Sequence, residues 1–543
     1  MGRSSLTKLL VVLLLVSSGQ TYGRAESITA KESQTATGYV FYDANNNRQR
    51  DAGEQGLACV RVSNGREVVC TDENGLYQLP VTGDTILFVI KPQGWRTPLS
   101  KNLTPEFYYI HKPNGSPKSK YAGVKPTGPL PASVDFPLYP QKEPAEFRAI
   151  FFGDPQPRDQ KEIDYIAHDV IEDLIGTDAS FGVTLGDILF NDLSLFQSQA
   201  RGIALLGIPW YNVIGNHDIN FDAPNDKLSD ETFEREYGPA YYSFDYGTVH
   251  FITLDDVEWT VSEKDKKGKY QGGLGIEQME FIRNDLKQIP EDQLVVLMMH
   301  IPLVNVNDRQ ELYRLIEKRP FCMSISGHTH HHEHRFITKA DGWRGPKPHH
   351  HIINVTVCGS WWSGTPDERG IPHTVMADGA PNGYSIIRFD GKEYNLDFRA
   401  AGRSEKYQMN IMVPEEVAAN QLVETDVIVN VFNGSERSKV AMLIGAVGTW
   451  VPMEFRPGID PGFKKLSETE NSVKDKKYRS MPNAKKSTHL WHAKLPAGLK
   501  PGTHLLRVRT VEMDGDKHQS GRVIRVVPAR PDEKTTATGV TEK

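Results

Sequence analysis

The middle of the chain alternates short apolar runs with segments of helical pattern, and each apolar run ends in a cluster of glycine and polar residues. Helix-like segments at 161–175 and 276–288 separate some of these runs. Strands that alternate with helices are typical of a layered α/β domain whose strands are buried on both faces. The pattern therefore predicts such a domain over residues 146–402. The clearest apolar runs are Ala149–Phe152, Phe181–Leu185 and Leu294–Met299.

The segments on either side of this domain have a different pattern. Residues 36–140 and 405–528 contain short apolar runs broken by glycine, proline and asparagine, which predicts two small β-sandwich domains. Prolines accumulate between 113 and 144, which predicts a loop and linker there. The polar residues 529–543 predict a disordered tail. The expected fold class is therefore α/β, with a central domain flanked by two small all-β domains.

The start of the chain predicts export. Arg3 and Lys8 precede the apolar run 9–16, and small and polar residues follow through Ala25, as in a secretory signal peptide over residues 1–25. A membrane anchor is the alternative, but spanning a bilayer takes about 20 apolar residues. We therefore expect a periplasmic or secreted protein with no transmembrane segment in the mature chain. The net charge of −6 disfavours duplex nucleic acid as a partner.

The four cysteines exclude a disulfide-dense scaffold. Asn64-Gly65 is a strong signal for a two-residue hairpin turn. That register would place Cys59 opposite Cys70, and a disulfide would then form in an oxidising compartment. Cys322 and Cys358 lie in apolar runs and are predicted to be buried thiols.

Five polar clusters follow the apolar runs of the middle domain. Active sites of open α/β sheets gather at the carboxyl ends of strands, so we expect these clusters to meet. Carboxylate, amide and imidazole groups together suit divalent ions of intermediate hardness such as Mn, Fe or Zn. In chain order the clusters are Gly153-Asp154-Pro155-Gln156, Gly186-Asp187, Gly215-Asn216-His217-Asp218, His300 and Gly327-His328-Thr329-His330.

In this order the clusters resemble the motifs of the calcineurin-like metallophosphoesterases, namely D-x-H, G-D, G-N-H-D/E, H and G-H-x-H. The resemblance covers residues 148–335, and it implies a β-sandwich clasped by helices that holds two divalent metal ions. It implies that Asp187 bridges the ions, that His217 faces the substrate and that Asp218 steadies His217. The first motif departs from the family, because Gln156 offers a neutral carbonyl oxygen in place of an imidazole. The implied ligands are Asp154, Gln156, Asp187 and His330 for one ion, and Asp187, Asn216, His300 and His328 for the other.

The resemblance implies hydrolysis of a phosphoester by a hydroxide that the two ions activate. Monoester and diester substrates, small or part of the cell envelope, remain alternatives. A second hypothesis is a non-catalytic protein that binds an envelope polymer or a glycan and carries a degenerate phosphoesterase domain. We expect Trp361, Trp362 and Asn382 to line the substrate cleft, although packing would also explain the tryptophans.

Two further patterns, a group of additional histidines and a loop rich in oxygen-bearing side chains, suggest metal binding outside the five clusters, and each has a simpler explanation. The histidines at 331, 332, 334 and 349–351 do not fit the metal motif and are expected in exposed loops. Oxygen-bearing residues in the loop 43–54 have the spacing of a calcium loop, but Arg48 stands where glycine is usual, and a solvated turn is the alternative. The residues that would bind calcium are Asp43, Asn45, Asn47, Asp51 and Glu54.

Overall fold

The computed structural model describes residues 34–445 and 448–529. The predicted signal peptide and residues 530–543 of the predicted tail lie outside this part of the chain. Within it, no helix combines the length and the apolar character needed to cross a membrane.

The N-terminal domain consists of two four-stranded sheets. Their strand orders are β4-β1-β8-β6 and β3-β2-β5-β7. The prediction of an all-β domain here is therefore confirmed. The strands are β1 Gln34–Tyr42, β2 Arg61–Ser63, β3 Val68–Cys70, β4 Leu76–Val81, β5 Thr85–Val89, β6 Trp95–Arg96, β7 Tyr108–His111 and β8 Phe136–Pro140.

The β2–β3 hairpin corrects the prediction of a disulfide. Ser63 pairs with Val68, so four residues and not two form the loop, and Arg61 lies opposite Cys70. The Asn64 side chain accepts hydrogen bonds from the backbone N–H groups of residues 66 and 67, which stabilises the wider turn. Cys59 and Cys70 are both free thiols, and the residue opposite Cys70 in this register is Arg61 and not Cys59.

The central domain is a sandwich of two mixed sheets with helices on the outside, as the family resemblance implies. A five-stranded sheet has the order β11-β10-β9-β20-β21, and a six-stranded sheet has the order β12-β13-β16-β17-β19-β18. The strands are β9 Glu146–Phe152, β10 Phe181–Leu185, β11 Trp210–Val213, β12 Tyr242–Tyr246, β13 Val249–Thr253, β14 Val257–Val261, β15 Gly268–Gly272, β16 Leu294–Met298, β17 Cys322–Ser326, β18 Glu333–Ile337, β19 His349–Ile353, β20 Gly383–Asp390 and β21 Glu393–Ala400. The helices are α1 Gln160–Ile166, α2 Glu172–Leu174, α3 Phe196–Ile203, α4 Glu231–Tyr237, α5 Gly275–Leu286 and α6 Arg309–Ile316.

The strand directions decide where the polar clusters meet. In the first sheet β9, β10 and β11 are parallel, and in the second β13, β16, β17 and β19 are parallel. Their residues are buried on both faces, as the continuous apolar runs predict. The carboxyl ends of β9, β10, β11, β16 and β17 carry the five polar clusters.

The C-terminal domain consists mainly of β-strands, as the expected fold class implies, but it also contains a helix that an all-β domain would lack. It has sheets of the orders β22-β24-β30-β27 and β23-β32-β31-β25-β26, a short β28–β29 pair and one helix, α7. The elements are β22 Met409–Met412, β23 Glu416–Ala418, β24 Asp426–Val431, β25 Lys439–Ile444, β26 Val451–Pro452, β27 Glu454–Phe455, β28 Gly458–Ile459, α7 Pro461–Asn471, β29 Lys486–Ser487, β30 Leu490–Lys494, β31 Gly502–Val511 and β32 Lys517–Val527.

The N-terminal domain packs against the edge of the six-stranded sheet. Phe88 makes an edge-to-face contact with Phe281 of α5, and the N–H of Asp245 donates to the carbonyl of Lys91. The buried Arg61 donates to the carboxylates of Asp245 and Asp285 at 2.6 and 2.9 Å. The two domains therefore share one continuous core.

The extra histidines are buried, which corrects the expectation of exposed loops for most of them. His332, His334, His349, His350 and His351 are each at most 9% exposed. Three lie on β19, which is an inner strand of the six-stranded sheet between β17 and β18. Their ring nitrogens contact polar side chains at Ser324, Ser326, Tyr394 and Asn433.

Candidate metal centre

All seven predicted metal ligands converge at the ends of five strands. Asp154, Asp187 and Asn216 follow β9, β10 and β11, whereas His300 and His328 follow β16 and β17. The site thus lies between the two sheets, where parallel strands from both end together. Asp154, Gln156, Asp187, Asn216, His300 and His330 are each at most 2% exposed, and His328 is half-buried.

The tight turns after the strands bring the backbone close to the ligands. A Cβ atom on Gly215 would lie 2.0 Å from the backbone nitrogen of Asp187, and one on Gly327 would lie 2.3 Å from Oδ2 of Asp154. At these distances a Cβ atom would overlap its neighbour, so packing requires glycine at both positions.

Five of the predicted ligands adopt positive φ angles between 39° and 76°. Such angles are uncommon outside glycine and collect at functional sites, where the surrounding structure maintains the strain. The residues are Asp154, Gln156, Asp187, His328 and His330.

The Asp187 carboxylate lies at the middle of the site. Its Oδ1 is 3.2 Å from Nε2 of His300, and its Oδ2 is 2.5 Å from Nε2 of Gln156. Burial alone would raise the pKa of Asp187, but the electrostatic effect of His300 is opposite, and the pKa lies well below its usual range. One carboxylate therefore contacts residues from both halves of the site.

The half of the site formed by Asp187, His300 and His328 is compact. One candidate ligand atom from each of these residues lies within 4.8 Å of the other two, and within the described ranges no other group of three or more acidic, histidine or cysteine residues does so. The Nδ1–H of His300 donates to the carbonyl of Leu185 at 2.9 Å, which directs Nε2 towards the centre. Asn216 presents Oδ1 at 3.0 Å from that Nε2.

The other half, with Asp154, Gln156 and His330, is looser. Nε2 of His330 lies 3.7 Å from Oδ1 of Asp154, and its Nδ1–H donates to the carbonyl of Gly359 at 2.6 Å. Oε1 of Gln156 is directed away from Asp187 and towards Sγ of Cys358, at 3.6 Å. Burial raises the pKa of the Asp154 carboxyl well above its usual value, although the charge of His300 and the backbone N–H of His328 act against this shift.

His217 lies at the mouth of the site. Its backbone N–H donates to Oδ1 of Asp187 at 2.9 Å, and its ring stacks on Phe190 with centroids 4.5 Å apart. The Nδ1–H of His217 donates to Oδ1 of Asn191 at 2.6 Å. Asn191 is a site residue that sequence reasoning missed, because nothing in its local pattern distinguishes it from a loop asparagine.

Asp218 has a different place from the one predicted. Its carboxylate accepts hydrogen bonds from three backbone N–H groups, those of Ile188, Leu189 and Gly215, at 2.9–3.0 Å. The side chain is fully buried and does not contact the ring of His217. Burial raises the pKa of Asp218 to about 8 although these three donors act against the shift. Asp218 therefore positions the loops that carry Asp187 and Asn216, and Asn191 takes the role of steadying His217.

The predicted substrate residues are mostly structural. Trp362 is 2% exposed, and its indole N–H donates to the carbonyl of Pro155. Asn382 is 5% exposed and donates to Asp169 and to the carbonyl of Val357. Both side chains pack in the interior, so the structure corrects the prediction that they line the cleft. Trp361 is half-buried and stacks on His330, with centroids 4.0 Å apart.

The predicted calcium loop is held by its own side chains. Asn45 and Asn47 both donate to Oδ2 of Asp51, and Glu54 accepts hydrogen bonds from the N–H groups of residues 44 and 51. Asp43 accepts hydrogen bonds from Tyr139 and from the N–H groups of residues 47 and 48. Calcium binding by these five residues stays a prediction.

Comparison with known proteins identifies three matches along the chain. Residues 147–332 match the family described as calcineurin-like phosphoesterase. Residues 44–124 match its N-terminal family and residues 351–518 its C-terminal family. No curated protein matches the chain.

Among solved structures the chain is similar to a purple acid phosphatase from seeds of yellow lupin (Lupinus luteus). The identity is 15%, the TM-score is 0.33, and the match covers 68% of this chain and 67% of that one. The three family matches cover most of this chain, and the central one spans the five clusters. The protein therefore belongs to the calcineurin-like phosphoesterases, with the N- and C-terminal domains that accompany the phosphoesterase domain, and this family supports a metal-dependent phosphoester hydrolase.

Proposed function

We propose that this protein hydrolyses phosphoesters with two divalent metal ions held by the seven converging ligands. The observation that carries the proposal is the convergence of Asp187, His300 and His328, whose ligand atoms lie within 4.8 Å of one another. Asp187 also contacts Gln156 on its other oxygen, as a carboxylate shared by two sites would.

The residues present suit such ions. Carboxylate and amide oxygens with imidazole nitrogens form a donor set of intermediate hardness, which fits Mn, Fe or Zn. Asp187, Asn216, His300 and His328 would hold one ion, and Asp154, Gln156, Asp187 and His330 would hold the other. When bound, a pair of ions lowers the pKa of water and neutralises charge on phosphoryl oxygens.

The protein's own side chains supply orientation and a proton. His217 is fixed on one side by stacking on Phe190 and on the other by its hydrogen bond to Asn191. With Nδ1–H donating to Asn191, the protonated, imidazolium form of His217 carries a second proton on Nε2. That proton can pass to the leaving oxygen or form a hydrogen bond to a phosphoryl oxygen. Asp218 accepts hydrogen bonds from the backbone of the two loops that carry Asp187 and Asn216.

The two metal sites are proposed to be unequal. Gln156 directs its amide nitrogen at Asp187 and its carbonyl oxygen at Cys358 in this structure. Its carbonyl is a weaker ligand than the imidazole usual at this position, so the ion beside Gln156 is expected to bind less tightly.

The site of action is proposed to be the periplasm or the outside of the cell, on the basis of the signal-like residues 1–25. The substrate would then be a small phosphoester or a component of the envelope.

Hydrolysis of chromogenic phosphomonoesters and phosphodiesters with added Mn tests this function. Turnover by the wild type should fall by about three orders of magnitude or more in Asp187→Asn, because both ions share that carboxylate. A matched control is Asp178→Asn, since Asp178 is 73% exposed in a surface ion pair with Arg148. Tight binding of phosphoesters by the wild type without turnover would instead support the non-catalytic hypothesis.

A further inference from the structure

Part of the C-terminal domain lies beside the metal centre, next to the loop that carries His328 and His330. Between α7 and β29, the carbonyl of Arg479 accepts a hydrogen bond from Gly364, and the N–H of Lys485 donates to Ala377. Met481, between them, is 4% exposed and packs with Ala377. This segment, residues 479–485, is therefore fixed against the central domain at both ends.

Lys485 lies beside the metal ligands. Its Nζ donates to the carbonyl of Thr329 at 3.2 Å, and Thr329 is the residue between His328 and His330. The side chain is exposed, and within residues 34–445 and 448–529 no carboxylate lies within 4.0 Å of Nζ. A positive charge without an acidic partner thus faces solvent at the edge of the site.

Two arginines lie on the other side of Trp361. Arg158 and Arg479 both donate to the carbonyl of Trp361, at 3.1 and 3.2 Å. The guanidinium of Arg158 also lies over the ring of Phe190, 4.1 Å from its centroid, and Phe190 stacks on His217.

These arginines share a single acidic partner. Glu162 is 2.6 Å from Arg479 and 3.5 Å from Arg158, and it is itself buried. With Lys485 included, three cations at the mouth are balanced by one carboxylate among the described ion pairs. The mouth of the site therefore carries excess positive charge, part of which comes from a different domain.

We infer that Arg158, Arg479 and Lys485 bind a second anionic group of the substrate, so that the natural substrate carries a carboxylate or a further phosphate on its leaving portion. The inference rests on the proposed phosphoesterase function. The metal ions would already neutralise the phosphoryl group under attack, which leaves these cations for another anion. Guanidinium groups bind carboxylate and phosphate in a bidentate manner, and lysine adds a point charge.

The test compares phenyl phosphate with its 2-, 3- and 4-carboxyphenyl analogues, which place one extra charge at three positions. For at least one analogue the wild type should show kcat/KM about tenfold above that for phenyl phosphate at low salt. Added salt should reduce this preference, because the interaction is electrostatic and partly exposed.

The double variant Arg479→Gln/Lys485→Gln should lose that preference, mainly through a higher KM for the carboxylated ester. The matched control is Lys486→Gln, since Lys486 is the next residue, is exposed and pairs in β29 with Ile459. Equal losses on both kinds of ester would show a structural role and overturn the inference.

The two proposals fail in different ways. If the wild type hydrolyses phenyl phosphate but prefers none of the carboxylated esters, only the second anion site is refuted. If the wild type hydrolyses no ester with any divalent metal, the phosphoesterase function fails, and this inference fails with it.

Discussion

Oδ1 of Asn191 lies 2.6 Å from Nδ1 of His217 and fixes the orientation of the imidazole at the mouth of the metal centre. Asn191 has a φ angle of 65°, so replacement by alanine would combine loss of the side chain with backbone strain. Glycine keeps this conformation and removes only the amide.

For Asn191→Gly we expect kcat to fall roughly 10- to 100-fold with little change in KM, because a less ordered imidazole transfers its proton less efficiently. Asn191→Asp keeps an acceptor for Nδ1–H and should retain more activity than the glycine variant. Steady-state kinetics on one chromogenic ester measure both. A glycine variant with unaltered kcat would exclude a positioning role for this asparagine.

Gln156→His should make the two metal sites more alike. An imidazole in place of the amide gives the looser half-site the nitrogen ligand typical of the family, and Zn should bind more tightly there. Metal content after graded chelation should show the wild type losing one ion before the other, and the variant losing them closer together. Loss of both ions at the same chelator concentration in the wild type would contradict unequal sites.

Asp218→Ala should destabilise the fold. The substitution leaves three buried N–H groups, those of residues 188, 189 and 215, without an acceptor. Each such group costs about 1–3 kcal/mol, so the free energy of unfolding should fall by about 3 kcal/mol or more. Denaturant unfolding measures this loss, and Asp178→Ala, at an exposed ion pair, serves as the control. A loss below about 1 kcal/mol would show that these donors find other partners.

His250 should make stability depend on pH. Its two ring nitrogens lie 2.7 Å from Asp245 and 2.8 Å from Asp285, and Arg61 pairs with the same two carboxylates. Burial alone would lower the pKa of His250, but the charge of Asp285 and the hydrogen bonds outweigh it and raise the pKa above 6.5. Below pH 6.5 the charged histidine therefore makes its full contribution to the stability of the fold. This contribution is lost as the pH rises through the pKa of His250 in the folded state.

The carboxylates of Asp245 and Asp285 set the lower limit of the pH range in which this buried cluster stabilises the fold. Their pKa values lie below 3.8, so their contribution is complete above that pH and is lost as the pH falls through the folded-state values. The apparent Tm should thus decline above about pH 6.5, and His250→Gln should flatten that decline. His168→Gln, at a histidine that is 60% exposed, should leave it unchanged. An identical slope in the His250 variant and the wild type would refute this assignment.

The meeting of the five polar clusters could be predicted because each follows an apolar strand, and because strand ends on one edge of a sheet must lie close together. The choice of seven ligands within those clusters is what the resemblance to the family implies. The role of Asn191 could not, since its contact with His217 depends on the path of the loop after β10. The prediction that Trp362 lines the substrate cleft was wrong for a similar reason, because a pair of adjacent tryptophans has no periodicity that distinguishes an interior position from a surface one. The buried histidines of β19 were missed because three adjacent imidazoles give no apolar signal, although partner strands cover both edges of that strand.

The proline-rich segment between β7 and β8, predicted as a linker, packs against the central domain and supports one of its loops. Lys112 pairs with Glu231 of α4, and the hydroxyl of Tyr121 donates to the carbonyl of Asn191 at 3.1 Å. A fragment that begins at residue 146 would lose this support for the loop that orients His217, and it would also expose the Phe281 face of α5. The phosphoesterase domain therefore depends on the N-terminal domain. Production of the phosphoesterase domain alone should yield a poorly folded or weakly active fragment.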